Sequence, residues 1–289
     1  IMIEPRDIYR KSLHYVSKFV VNGKSIFHQD WDVMIILDAC RYDLMKEVAD
    51  EYEFIQNVDE MSSVDTMTPI WMEKTFTDDV RSVTQDLYYL CANPASDEQL
   101  SSNQFAKLDE IWRYEWDDEI GNVSAESVTR RAITVGREQQ AENLLIHYNQ
   151  PHWPFIPAME TSGGQGIQMS QFGEHQDHRV WERLKDGEIS KEEVWQGYKN
   201  NLRYVLDNVA VLLENLDAEK VIISSDHGNA LGKWGIYGHP MHMPIPCIRN
   251  VPWIETTASD TKSMMEHLEY AERTPTEDVE EKLRDLGYY

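Results

Sequence analysis

A carboxylate and an imidazole stand side by side in this chain, at Asp226 and His227, directly after an apolar run that predicts a strand over 220–225. Gly228 follows at once. In open α/β sheets, ligands bind beyond the carboxyl ends of the strands. Because an Asp and a His placed there can both donate to one divalent cation, the segment suggests a metal-centred site.

A second segment has the same layout. Residues 33–37 are apolar throughout and lead directly into Asp38. Two buried strands that each deliver an acid at the tip predict that Asp38 and Asp226 converge around a single ion. For Asp38 alone, a helix N-cap remains open as an alternative, since residues 41–50 are expected to be helical and Asp is a common cap.

Hydroxyl groups gather ahead of a third predicted element. Ser63, Thr66 and Thr68 precede or flank a helix-start signal that includes Pro69, and this helix should run to about residue 75. A hydroxyl at a helix N-terminus suits a nucleophile, because the dipole and the N–H groups there stabilise an alkoxide and an attached anion. A neighbouring cation lowers its pKa further. Plain helix caps at Thr66 and Thr68 stay open as the alternative.

Strands alternate with helices along the chain, which predicts a mainly parallel sheet covered on both faces. Neither a repeat nor a linker-like tract interrupts the pattern, so we expect one domain over residues 1–289. The predicted strands are 33–38, 53–58, 83–92, 144–146 and 220–225, with proline-broken strand pieces over 244–254. The predicted helices are 5–21, 41–50, 125–142, 191–215 and a short C-terminal one ending near Gly287, and 158–178 is expected to be a long loop.

The charge balance excludes one class of partner. Asp and Glu number 51 against 27 Lys and Arg, a formal net charge of −24. Phosphate binding needs a cationic surface, so nucleic acid is not an expected partner. An acidic surface of this kind is soluble in concentrated salt, where the Debye length shrinks to ~3 Å, and we therefore expect a halophilic protein. An ordinary acidic enzyme is the alternative interpretation.

Cysteine usage and hydropathy indicate the compartment. Three cysteines form no disulfide framework, which favours a reducing, cytoplasmic interior. The apolar runs are too short for an integral membrane segment, and residues 1–20 lack the apolar region of a signal peptide. The basic residues near the start of the chain would allow contact with an anionic membrane surface, although a plain solvated helix is the favoured interpretation: Arg6, Arg10, Lys11 and Lys18.

Several motifs carry a resemblance to a known family. Residues 35–43 resemble the first metal-binding motif of the alkaline phosphatase superfamily, in its sulfatase-like branch, and residues 224–228 resemble the second. Other segments similar to parts of that branch are 151–155 (its Pro-His-x-Pro element), 195–207 (the helix before the second motif) and 283–288 (the C-terminus). The resemblance implies an α/β fold of alkaline phosphatase type, a three-layer sandwich with a mainly parallel central sheet.

The resemblance also implies a ligand set. Asp38, Asp226 and His227 would hold the metal, together with the hydroxyl of the nucleophile. Calcium sites of classical sulfatases use oxygen alone, whereas His227 supplies nitrogen. The expected ion is therefore Mn²⁺ or Zn²⁺ rather than Ca²⁺.

The nucleophile of the family lies at a helix start after the second strand. In this chain that place offers Thr66, which we favour, with Thr68 and Ser63 as rivals. Classical sulfatases instead use a Cys within Cys-x-Pro-Ser-Arg, and this sequence contains no such segment. Phosphate esters therefore become a better expectation than sulfate esters.

Further residues are implied on the substrate side. His152 would bind the anionic group of the substrate, and His239 falls where the family places a Lys or His that contacts the substrate or a second metal. Asn149 stands near the place of a further family Asp, so a second metal would be weakly held. Arg41 is a candidate anion contact, with a salt bridge to Asp43 as the alternative.

Together these features predict a metal-dependent hydrolase or transferase that acts on phosphate or sulfate esters of small molecules, glycans or lipids. Two other functions stay open: a phosphomutase of the same fold, and a non-catalytic binding protein related to glycan or envelope assembly. The oligomeric state is not indicated by the sequence.

Overall fold

The computed structural model describes residues 23–138, 143–156, 180–264 and 279–287. The predicted basic helix over 5–21 and the predicted loop over 158–178 lie outside these residues. Within them, no helix combines the length and the apolar character needed to cross a bilayer.

The centre of the fold is a sheet of seven strands. The strands of the described residues are β1 Val33–Leu37, β2 Asp59–Ser62, β3 Leu87–Cys91, β4 Lys107–Glu110, β5 Trp116–Asp117, β6 Asn122–Val123, β7 Asn143–Tyr148, β8 Ala218–Ser224, β9 Ala230–Leu231, β10 Tyr237–Gly238 and β11 Asn250–Ala258. The main sheet has the order β2-β11-β8-β1-β7-β3-β4, while β5–β6 and β9–β10 form small separate pairs. The five strands from β8 to β4 are parallel, and β11 is antiparallel to both of its neighbours.

The register of the central strands brings three chain segments to one edge of the sheet. In β1, Leu37 is paired with Tyr148 of β7, and Ile36 is paired with Ser224 of β8. Because all three strands run in the same direction, the residues after each strand emerge side by side. Asp38 therefore lies between the segments that begin at residues 149 and 225.

Helices cover both faces of this sheet. Those of the described residues are α1 Tyr42–Val48, α2 Thr68–Thr75, α3 Arg81–Thr84, α4 Ser96–Gln99, α5 Trp112–Glu115, α6 Ala125–Arg137, α7 Val180–Asp186, α8 Lys191–Leu213, α9 Pro246–Arg249 and α10 Val279–Asp285. Five short 3-10 turns accompany them: Ile26–His28, Ala49–Glu51, Asp78–Val80, Ser102–Gln104 and Lys233–Gly235.

The alternation of side chains along β1 divides the interior into two hydrophobic cores. Ile35 and Leu37 join the core that contains α1, α6 and α8, whereas Met34 and Ile36 join the core beneath α2. All five β1 side chains are buried, as expected of a parallel strand with helices on both faces. The predicted α/β fold with a helix layer on each side of a mainly parallel sheet is confirmed.

Two sequence-based assignments near the antiparallel edge are wrong. Residues 53–58 do not form a strand; the strand is Asp59–Ser62, whose Met61 is buried against β11 by pairing with Val251. The predicted strand pieces over 244–254 are not observed either: Pro246 begins α9, and Pro252 lies inside β11, which runs as one strand from Asn250 to Ala258. Both assignments depend on pairing with a distant segment, which local patterns do not reveal.

Candidate active site

Two turns at the carboxyl edge of the sheet are tied together around one carboxylate. Asp226 Oδ1 accepts hydrogen bonds from the backbone N–H of Ala39 at 3.0 Å and of His227 at 2.8 Å. Ala39 has a positive φ of 61°, which is uncommon for a residue with a side chain and marks a tightly determined turn directly after Asp38. The long helix α8 supports the same turn, because the Tyr198 hydroxyl donates to the Ala39 carbonyl.

Gly228 allows the second turn to approach its surroundings closely. Its N–H donates to the carbonyl of Ile248 at 2.7 Å. A Cβ at this position would lie 2.6 Å from the carbonyl oxygen of Cys247 and 2.8 Å from Cγ of Arg41. A glycine is therefore required by close packing immediately after the Asp-His pair.

The Thr68 hydroxyl lies among the predicted metal ligands. It donates to Asp226 Oδ2 at 2.7 Å and lies 3.1 Å from His227 Nε2 and 3.5 Å from Asp38 Oδ2. All four side chains are buried. We call Asp38, Thr68, Asp226 and His227 the acid–imidazole cluster. Thr68 is the first residue of α2, so the hydroxyl also lies at a helix N-terminus.

Thr66, the residue favoured from the sequence, is placed elsewhere. Its hydroxyl donates to the Pro240 carbonyl at 2.7 Å and accepts from the Met243 N–H at 3.1 Å. Thr66 therefore holds the chain after His239 against the start of α2 and does not join the acid–imidazole cluster. Helix α2 begins at Thr68, with extended Met67 as its cap residue, so Thr68 occupies the position expected of Thr66.

The cluster fits a divalent cation. His227 Nδ1 faces the carbonyl of Gly228 at 3.0 Å and must donate to it, so Nε2 is the ring nitrogen that can offer a lone pair to a cation in the cluster. Nε2 is 3.4 Å from Asp226 Oδ2 and 3.7 Å from Asp38 Oδ1. Burial raises the pKa of Asp226, but attraction to His227 and then to His147 in their protonated forms lowers it below its ordinary value, so this carboxylate is ionised at pH 7. Two buried carboxylates and an imidazole lone pair form a donor set for a metal.

Asn93 orients the first of these acids. Its side-chain N–H donates to Asp38 Oδ2 at 2.7 Å, and its Oδ1 accepts from the N–H of Ala95 at 2.9 Å. The second contact determines which end of the amide faces Asp38. Asn93 thus fixes the rotamer of the Asp38 carboxylate, which the sequence alone did not predict.

His152 and His239 are brought together beside the cluster. Their Nε2 atoms are 3.0 Å apart, and the ring of His239 stacks on that of His227 with centroids 4.5 Å apart. His152 Nδ1 donates to the Trp153 carbonyl at 2.6 Å. Burial lowers the pKa of His152 to about 4 and that of His239 well below its usual range. Both rings are therefore neutral at pH 7, and His239 donates its Nε2–H to His152.

His147 is a residue that the sequence analysis missed. It is fully buried in β7. One nitrogen of its ring, one carboxylate oxygen of Asp38 and one carboxylate oxygen of Asp226 all lie within 4.8 Å of one another. The sequence did contain a signal for this residue, because His147 is the one imidazole near the end of a strand whose preceding residues 144–146 are apolar. Periodicity identified the strand but gave no reason to distinguish this His from a core residue.

Two predicted substrate contacts are occupied by structural interactions. The Arg41 guanidinium pairs with Asp43, with Nε 2.7 Å from Oδ1, and lies 4.8 Å above the ring of Trp195. The side-chain N–H groups of Asn149 donate to the carbonyl of Ala92 at 2.9 Å and to Asn122 Oδ1 at 2.7 Å. The alternative interpretation of Arg41, a salt bridge to Asp43, is the one observed.

No family model and no curated protein sequence matches this chain. Similar folds do exist among solved structures. One is the integral membrane lipooligosaccharide phosphoethanolamine transferase A from Neisseria meningitidis, with 12% identity and a TM-score of 0.52 over 89% of this chain and 55% of that one. Another is the periplasmic domain of EptC from Escherichia coli in complex with Zn, with 12% identity and a TM-score of 0.50 over 82% and 76% of the two chains. A 2-O GAG sulfatase matches with 10% identity and a TM-score of 0.50 over 82% and 64%.

These likenesses concern the fold. The chain spans about half the length of the first of these proteins and just under two thirds of the sulfatase. Together with the seven-stranded sheet, they confirm the predicted fold, a mainly parallel sheet between helix layers, which this chain shares with these transferases and this sulfatase.

Proposed function

We propose that this protein is a metal-dependent enzyme that transfers or hydrolyses a phosphate ester, with Thr68 as the nucleophile. One observation carries the proposal: the Thr68 hydroxyl lies at the start of α2, 2.7 Å from Asp226 Oδ2 and 3.1 Å from His227 Nε2. A hydroxyl in this place has an acceptor for its proton, a nearby donor set for a cation and a helix N-terminus to stabilise negative charge.

The metal would be held by Asp38, Asp226 and His227, with Thr68 as a further oxygen ligand. When bound, it would lower the pKa of the hydroxyl and offset the charge that develops on the phosphoryl oxygens. The imidazole nitrogen favours Zn²⁺ or Mn²⁺ over Ca²⁺. The zinc complex of the E. coli EptC domain, which shares the fold, supports the same choice.

The residues of the chain account for the covalent steps. Thr68 Oγ1 forms a bond to phosphorus as the bond from phosphorus to the leaving oxygen breaks. The Thr68 hydroxyl gives its proton to Asp226 Oδ2 along their hydrogen bond, and the departing alcohol takes up that proton. Water or an acceptor alcohol then attacks the phosphothreonine, and its proton returns to Thr68. Next to the cluster, His239 can turn its Nε2–H from His152 to an ester oxygen, while His152, whose Nδ1–H is held by the Trp153 carbonyl, orients the His239 ring.

The proposed substrate is a phosphate ester of a lipid or glycan. The absence of Cys-x-Pro-Ser-Arg from the sequence argues against the sulfatase nucleophile. The name of the Neisseria protein, a phosphoethanolamine transferase acting on lipooligosaccharide, supports transfer of a substituted phosphoryl group. The matching sulfatase makes sulfate esters the comparison substrate for any assay.

Matched substitutions of the two threonines test the assignment. Thr68→Val removes the hydroxyl at constant shape, Thr68→Ser restores it, and Thr66→Val provides the control from the same loop. Turnover of p-nitrophenyl phosphate, its diester and p-nitrophenyl sulfate should be lost in Thr68→Val, partly recovered in Thr68→Ser and largely retained in Thr66→Val. Loss in Thr66→Val with retention in Thr68→Val would contradict the proposal. Bound metal without turnover in the unmodified protein would favour a binding protein, and rearranged phosphosugar products would favour a mutase.

A further inference from the structure

His147 is a buried imidazole for which the proposed reaction has given no role. It is fully buried in β7, where it is paired with Ile36 on one side and with Cys91 on the other. Its ring lies 5.6 Å from that of Trp71, edge-on, and 6.3 Å from that of Tyr89, stacked. These contacts fix the ring on the α2 face of the sheet, beneath the helix that begins with Thr68.

A hydrogen bond from a neighbouring strand engages one nitrogen of the His147 ring. The Tyr89 hydroxyl lies 2.8 Å from His147 Nδ1. Tyr89 stands in β3, which pairs with β7, so this contact holds the ring in place from the side of its Nδ1 atom.

The other nitrogen of the ring has no such partner. His147 Nε2 is buried and has no hydrogen-bond partner among the described residues. His147 belongs to the buried group of possible ligand atoms that includes Asp38 and Asp226. An imidazole lone pair beside two carboxylates is unfavourable unless a cation lies between them.

We propose that His147 Nε2 is an additional ligand of the metal held by Asp38, Asp226 and His227, and that Tyr89 positions it by accepting from Nδ1. The inference rests on the proposed function, since it concerns the same ion. Hydrogen bonding of the second ring nitrogen is the usual way in which proteins orient a metal-ligating His. Two imidazole nitrogens in the donor set shift the preference further from Mg²⁺ and Ca²⁺ towards Zn²⁺.

The direct test counts imidazoles in the unmodified protein. Loaded with one equivalent of Zn²⁺, the protein should give an X-ray absorption spectrum with two imidazole ligands. The Co²⁺-substituted protein should show two exchangeable, hyperfine-shifted imidazole N–H resonances, one for each ligating ring. If both methods found a single imidazole ligand on the metal, the inference would be overturned, and this result would not depend on any variant.

Variants supply a second, thermodynamic test. His147→Gln and Tyr89→Phe should weaken Zn²⁺ binding measured by competition with a chelator, the latter by about 10-fold, the lower end of the range for loss of an outer-shell partner. The matched control is Tyr148→Phe, which removes another buried hydroxyl of the sheet whose partner is Thr129 at 2.8 Å. Unchanged Zn²⁺ affinity in a folded His147→Gln protein would refute His147 ligation.

The outcomes separate this inference from the proposed function. An unmodified protein that binds no Zn²⁺ and turns over no ester would remove both. An unmodified protein that binds Zn²⁺ and turns over a phosphate ester, with a single imidazole on the metal and with normal affinity in His147→Gln, would remove only the role of His147.

Discussion

The hydroxyl of Thr68 lies 2.7 Å from the carboxylate of Asp226, although 158 residues separate the two in the chain. Thr68 starts α2 on one face of the sheet, and Asp226 follows β8 within it. The contact joins Thr68, the proposed nucleophile, to Asp226, a proposed ligand of the metal. A change at either residue should therefore affect catalysis.

Asp226→Asn should remove the metal while preserving the fold. The Oδ1 atom accepts from the N–H groups of Ala39 and His227, and an Asn oxygen can accept both bonds in the same rotamer. The lost negative charge should abolish stable Zn²⁺ binding and, with it, turnover. Circular dichroism and metal content after gel filtration check the two parts separately. Full turnover in this variant would refute the ligand assignment.

Gly228→Ala should disturb the metal site through packing alone. The new Cβ would meet the carbonyl oxygen of Cys247 at 2.6 Å, and a backbone atom cannot move aside cheaply. We expect a loss of about 1–3 kcal/mol in the free energy of unfolding and weaker Zn²⁺ binding, because the adjacent His227 shifts. Gly136→Ala in α6 is the control: the new Cβ would meet the Leu216 side chain and should lower stability while leaving Zn²⁺ affinity intact.

Asp65 should make stability depend on pH in the acid range. Burial alone raises its pKa, but hydrogen bonds from Lys74, from the N–H groups of Thr66 and His242 and from the His242 ring lower it to about 2, against an ordinary 3.8. The unfolded chain therefore takes up this proton at higher pH than the native state. The resulting stabilisation, about 2 kcal/mol, is complete above pH 3.8 and lost as pH falls towards 2.

Urea unfolding of Asp65→Asn between pH 6 and 3 checks this dependence. The variant should be less stable than the unmodified protein by about 2 kcal/mol at pH 6, and the difference should shrink as the pH falls below 4. Asp78→Asn is the control, because the Asp78 side chain is 97% exposed in its ion pair with Arg81. A difference that stays constant with pH would show that Asp65 is not held ionised.

The net charge of −24 predicts a response to salt. Repulsion among 51 acidic residues is largely screened when the Debye length falls to ~3 Å near 1 M salt. Thermal unfolding midpoints should therefore rise steadily from low to molar KCl, as proposed for a halophilic protein. A midpoint that does not change over this range would support the interpretation as an ordinary acidic enzyme.

The sequence predicted most reliably those parts of the fold that local pattern determines. β1 and β8 are apolar runs, and α8 has both the periodic apolar face and a Ser190–Glu193 capping box, so their positions agree with the expectations to within two residues. The position of strand β2 was predicted wrongly because it is determined by pairing with β11. Patterns within a segment do not contain that information.

The same distinction applies to the candidate site. The convergence of Asp38 and Asp226 was predictable, because both follow parallel strands that end at one edge of a sheet. The choice between Thr66 and Thr68 was not, since it depends on contacts of Thr66 with the chain at Pro240 and Met243. The tautomer of a buried imidazole likewise depends on neighbours from other strands.

The most direct test of the central claim is to locate the covalent intermediate. Zn²⁺-loaded protein is mixed with a phosphodiester substrate and quenched in acid, and the tryptic peptide over residues 47–74, which contains both candidate threonines, is fragmented in a mass spectrometer. We expect a phosphoryl adduct on Thr68 that is absent from Thr68→Val and present in Thr66→Val. An adduct on Thr66, or turnover with no adduct on this peptide, would contradict it.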